Sequence, residues 1–145
     1  MKFVAPIARI LLGLAFVVFS LNYFHPFLPP QPPPPPEALA VLGGLVTSKI
    51  LTVVKVLELL AGIALLGNRF VPLAATILAP IIIAITIVHV TVLPSGLPLA
   101  VVLIALELVV AWSYRSAFAP MLRAKVAPDT AASRAEVGQL VEHRA

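Results

Sequence analysis

Lys55 and Glu58 lie in "LTVVKVLELLAG" (residues 51–62), opposite charges three positions apart in an otherwise apolar run. On a helix, positions i and i+3 share a face, so the two side chains can neutralise each other and point the same way. A third charge, Glu107, sits inside "VVLIALELVV" (residues 101–110). Ionisable groups surrounded by hydrocarbon are costly, and they mark proton relays, ligand contacts or pairs that fix helix register. Two histidines supply titratable rings: His25 in "LNYFHPF" and His89 in "TIVHVTVLP", with Asn22 one turn before His25. Imidazole and carboxyl groups can exchange protons with a quinone head group. A His25–His89 pair could instead supply the two axial ligands of a haem, and no other metal is expected. The chain has no cysteine, which excludes disulfides, thiolate metal sites and thiol redox chemistry carried by the chain itself.

The surroundings of these residues set their chemistry. Hydrophobic residues make up 61% of the chain and charged residues 11%, against about 25% charged in a soluble domain. This composition cannot coat a water-soluble surface, so the expected fold is all-α: a polytopic membrane protein built as an antiparallel four-helix transmembrane bundle. A span needs about 20 mostly apolar residues. Four segments meet that length, at about residues 6–28, 47–66, 71–93 and 98–118. The last two are joined by "LPSGLP" (residues 93–98), a tight turn. The middle two are joined by "GNRFVP" (residues 67–72), where Gly67 suits a C-cap and Pro72 a first helical turn. The membrane domain thus covers residues 1–122, with a Pro-rich outer loop at 29–46. The tract "PFLPPQPPPPPE" (residues 26–37) is expected to be polyproline II acting as a stiff spacer, followed by a short interfacial helix over 37–46. Residues 123–145 are expected to form a mobile basic cytoplasmic tail.

Lys2, Arg9, Arg69, Arg115, Arg123 and Lys125 all fall on one side of this arrangement, and Lys49 alone on the other. The positive-inside rule then places both termini on the cytoplasmic side of the membrane. Trp112, Tyr114, Phe118 and Phe70 would form the inner aromatic belt, and Phe19, Tyr23, Phe24 and Phe27 the outer one. The small-residue box "ALA" (residues 38–40) lies far beyond the first apolar run, so that run is read as a retained span and not a cleaved signal. The basic residues lack the aromatic interleaving of a nucleic-acid surface, so no nucleic-acid partner is expected; membrane lipid is, and a homo-oligomer is open.

Energetics ask for neighbours around the second span. Its eleven Leu, Ile and Val residues favour insertion by about 3–7 kcal/mol, and two central charges cost about 2.5–3.5 kcal/mol each. Those terms nearly cancel, so other helices must solvate Lys55 and Glu58. Gly62, four positions after Glu58, would let one of them approach closely. By helix rise, Lys55, Glu58 and Glu107 lie about 12, 16 and 14 Å below the outer end. They are therefore expected to form one buried Glu–Lys–Glu group, in which charge balance asks for one added proton. Above it, Asn22, His25, Lys49, Thr86 and His89 would line a polar pocket open to the outer face, over an apolar inner half.

Several stretches resemble the DoxX-like family of small four-helix bacterial membrane proteins: "ARILLGLAFVVFSLNYFHPFLPP" (residues 8–30), "KVLELLAGIALLGNRFVPLAATILAPIII" (residues 55–83), "HVTVLPSGLPLAVVLIALEL" (residues 89–108) and "AWSYRSAFAPML" (residues 111–122). The resemblance departs from the family pattern at Ala84, where Asn is expected, and at Leu93, where an acidic residue is expected. It implies a bacterial inner-membrane protein, both termini cytoplasmic, tied to quinone-linked redox or oxidative-stress systems, with an oxidoreductase subunit as a partner. It also directs attention to Asn22, His25, Lys55, Glu58, His89 and Glu107. Three roles remain open on the sequence: an accessory component of such a system, a quinone-reducing oxidoreductase subunit, and a structural or lipid-associated protein.

Overall fold

The computed structural model describes residues 3–29 and 32–125. The expected tail, apart from residues 123–125, lies outside them. All regular structure among the described residues is helical: α1 (Val4–Phe24), α2 (Pro36–Thr47), α3 (Ile50–Leu66), α4 (Val71–Thr91), α5 (Leu97–Ser113) and the short α6 (Arg115–Phe118), with a 3-10 turn at Pro94–Gly96 between α4 and α5. Three segments are long and apolar enough to cross a membrane: Val4–Phe24, Val71–Thr91 and Pro94–Ser113.

Helix ends fall where local chemistry puts them. Pro26 pushes His25 into an extended conformation (φ −140°, ψ 94°), so α1 stops at Phe24, short of the expected residue 28. The Asn22 side chain then takes the freed backbone, its Oδ1 accepting from the amides of Phe27 (2.9 Å) and Leu28 (2.8 Å). Pro36 opens α2 at a first-turn position, where a missing N–H costs nothing. The expected span at 47–66 is broken at Lys49, which adopts the left-handed conformation (φ 64°) between α2 and α3. Thus α3 has 17 residues and a length of about 25 Å, short of the roughly 30 Å hydrocarbon layer. The expected fourth span, 98–118, is likewise interrupted at Tyr114, which separates α5 from α6.

Packing connects α1 to α3 and α5, and α4 to the same two helices, while α2 rests on α3. The core lies between them and is aliphatic: Leu12, Phe16, Leu65, Leu78, Ile82, Leu103 and Val110 are buried there. These core positions recur at three- and four-residue intervals, as one face of each helix requires. Leu, Ile, Val and Phe side chains cover the outside as well, including Ile7, Leu14, Ile63, Ile83, Ile87, Val101 and Leu108. An aqueous protein does not carry that exterior; a protein solvated by lipid does. Four hydroxyl groups are satisfied inside their own helix: Thr76, Thr86, Thr91 and Ser113 each donate to a carbonyl four residues back.

Candidate functional site

The polar groups of the interior concentrate on the seam between α1 and α3. Arg9, Gly13 and Ser20 lie on one face of α1; Glu58, Gly62 and Leu65 lie on one face of α3. The two faces meet in antiparallel register. Arg9 donates through Nη1 to the carbonyls of Leu65 and Leu66. Gly13 and Gly62 face each other: a Cβ built on either would come within 3.0 Å of the other's carbonyl oxygen. The close approach foreseen at Gly62 is therefore made by α1, and it requires glycine on both sides. Further along, Ser20 Oγ donates to Glu58 Oε2 at 3.2 Å, and the Tyr23 and Thr52 hydroxyls share a hydrogen bond of 2.9 Å.

Glu58 is the best-sheltered charge on this seam, its side chain only 1% exposed. Lys55 Nζ donates to the same Oε2 at 2.7 Å, so this oxygen accepts from two donors. Lys55 stays partly exposed, as a long aliphatic stem with a charged tip allows. Arg9 fulfils a different need. The last carbonyls of a helix have no intrahelical donor and carry the negative end of its dipole. A guanidinium at the end of α3 satisfies both. The expectation of an apolar half at this end of the molecule is thereby corrected, because Arg9 is buried there.

Glu107 stands apart. Its core-facing neighbours on α5 are Ala100, Leu103 and Val110. It is 7% exposed, and its Oε2 has no hydrogen-bond partner. The structure pairs Lys55 with Glu58 and, among the described residues, gives Lys55 no ion pair with Glu107. The physical reason is which helices pack together: α3 lies against α1 and α4, and Glu107 sits on α5, which packs on those same two helices. Glu58 instead meets Ser20 of α1.

The other expected site residues have separate settings. Asn22 caps the end of α1. His25 is exposed at that helix's C-cap, and Lys49 is exposed at the α2–α3 junction. His89 is half-buried; its Nδ1 lies 2.7 Å from the Ile85 carbonyl oxygen, which fixes the proton on Nδ1, and the ring abuts Gly96 so closely that a Cβ there would overlap it. Thr86 is engaged with Ile82. No hydrogen bond among the described residues links His25 to His89 or either to Glu107. The structure thus brings together Lys55 and Glu58, and adds Ser20.

Sequence reasoning missed Arg9, Gly13 and Ser20 as seam residues. Their signal was present: positions 9, 13, 16 and 20 form one helical stripe of non-lipid-like or core residues on α1. The matching stripe of 58, 62 and 65 on α3 completes it.

Comparison of the chain with protein-family models, with curated proteins and with solved structures gives no match.

Proposed function

We propose that this chain is a four-span bacterial inner-membrane protein of the DoxX-like kind, an antiparallel bundle in which α3 is the short fourth span. Its role would be that of an accessory component in a quinone-linked redox or oxidative-stress system, not a self-sufficient enzyme. Arg9, Arg69 and Arg115 share one end of the molecule, which supports placing that end and both termini on the cytoplasmic side.

One observation carries the functional part: the buried Glu107 carboxyl with an unpartnered oxygen, set among aliphatic side chains. A polar group left this way costs stability, and such costs persist where a ligand repays them. An amphipathic ligand with a polar head and a hydrocarbon body fits an apolar interior that offers one polar contact. The resemblance to DoxX-like proteins points to quinone as its class. A second reading, a structural or lipid-associated protein, is favoured by a different observation. The remaining interior polar groups are engaged with backbone carbonyls or with each other.

Mass spectrometry of whatever co-purifies with the tagged protein in mild detergent separates the readings. Stoichiometric quinone with the native chain, lost in Glu107→Leu, is the expected result. Phospholipid alone at full recovery would overturn the quinone reading in favour of the structural one. Quinone turnover by the isolated chain would instead establish the enzyme-subunit alternative.

A further inference from the structure

The end of the molecule that carries Arg9 also holds a group of exposed residues that the interior does not need. The Tyr114 hydroxyl donates to Asn68 Oδ1 at 3.1 Å, which ties the α3–α4 turn to the end of α5. This bond places Arg69, next to Asn68, and Arg115, next to Tyr114, at the same end. The Arg115 guanidinium lies 5.3 Å from the Trp112 ring centroid, and its Nη1 donates to the Trp112 carbonyl at 3.2 Å. Trp112 itself is 72% exposed, and Phe70, Met121 and Leu122 are exposed around the same end. Arg123 and Lys125 follow within the described residues. No Asp or Glu occurs in residues 3–9, 65–72 or 110–125, and the single ion pair among the described residues is Lys55–Glu58, remote from this end.

We infer that this end is a binding surface for anionic phospholipid, with Trp112 and Arg115 as its centre. Three features define the occupant. The apolar side chains need hydrocarbon or the acyl–headgroup boundary, where an indole is most at home. The cations need negative charge, and the described chain supplies none beside them. Arg115, after its bond to the Trp112 carbonyl, keeps guanidinium donors that match the oxygens of a phosphate. A lipid with a net negative headgroup answers all three; a zwitterionic lipid leaves the cations uncompensated. Near an anionic surface each such cation enriches the lipid about fivefold at low salt.

Trp112 is the chain's one tryptophan, so its fluorescence reports on this surface alone. The full chain is reconstituted into vesicles of equal parts phosphatidylcholine and phosphatidylglycerol, with bromine on the acyl chains of one lipid or the other. Brominated phosphatidylglycerol is expected to quench Trp112 more strongly than brominated phosphatidylcholine at the same mole fraction. The excess should shrink in 0.5 M salt, roughly the regime where charges are screened beyond a few ångströms, and should fall in R115Q. Equal quenching by the two brominated lipids in the native chain would overturn the proposal, and that comparison needs no variant to fold.

Discussion

Glu58 and Glu107 are both buried carboxyls on the core faces of helices, yet their surroundings are opposite. Glu58 lies on the α1–α3 seam, where Lys55 and Ser20 both donate to one of its oxygens and where paired glycines bring the backbones together. Glu107 lies on α5, which packs on α1 and α4 through aliphatic side chains, and one of its oxygens has no partner. The same residue type therefore fixes a structure in one place and leaves an open demand in the other. Burial alone does not distinguish a structural charge from a functional one; the donors around it do.

The largest test of this contrast is removal of one partner on the seam. Glu58→Ala leaves the partly exposed Lys55 ammonium without its acceptor, and the cost of breaking such a pair from one side is at most about 3–5 kcal/mol, the figure for a fully buried pair. Replacing both residues at once, Lys55→Met with Glu58→Leu, removes the charges together and should cost far less. Unfolding by SDS titration in mixed micelles compares the two variants. Equal midpoints would mean that the pair found at 2.7 Å contributes nothing to stability, and the seam would lose its special standing.

A smaller loss is expected from Gly62→Leu. Its Cβ would meet Val17 Cγ2 at 2.9 Å and the Gly13 carbonyl oxygen at 3.0 Å. Both contacts force α1 and α3 apart, with an overpacking cost of about 1–3 kcal/mol. Separation would also loosen the Arg9 and Ser20 contacts across the same register, so the effect should not add to that of Glu58→Ala. A double variant measured by the same titration gives the coupling.

The α3 side of this seam could be read in advance, and the α1 side was not, for identifiable reasons. Composition and hydropathy indicate membrane helices because lipid solvation leaves a coarse, chain-wide signature; the three long apolar segments follow from it. The Lys55–Glu58 contact follows from i, i+3 spacing alone. What escaped was anything decided by a single backbone junction. Nothing in the residue type of Lys49 announces a left-handed conformation, and that one residue breaks the run expected at 47–66 and starts α3 at Ile50. Arg9 was counted only among the cytoplasmic-side cations because its partners, the carbonyls at the end of α3, are backbone atoms that carry no sequence signal. The polar pocket drew together residues of similar depth, whereas depth does not say which way around a helix a side chain points. His25, exposed at its C-cap, shows the difference.

On the α5 side the sign of the expected effect reverses. Glu107→Leu replaces an unpartnered buried carboxyl with a side chain like its neighbours, and should stabilise the protein by about 1–3 kcal/mol in the absence of ligand. On the proposed quinone reading the same substitution abolishes co-purification of that ligand, so stability and ligand retention move in opposite directions. A loss of stability in Glu107→Leu would show that the carboxyl has a structural partner, and the contrast with Glu58 would collapse.

The smallest effect belongs to the junction at which α3 begins. Lys49 holds φ at 64°, and an L-residue there pays about 1–2 kcal/mol that glycine avoids. Its side chain is exposed, so little packing is lost with it. Glycine also gains freedom in the unfolded chain, which offsets part of the benefit, and the net gain for Lys49→Gly should be about 0.5–1 kcal/mol. If α2 and α3 instead form one continuous helix in the bilayer, Lys49 is helical and glycine destabilises by about 1 kcal/mol. The sign of this small change therefore reports where α3 begins.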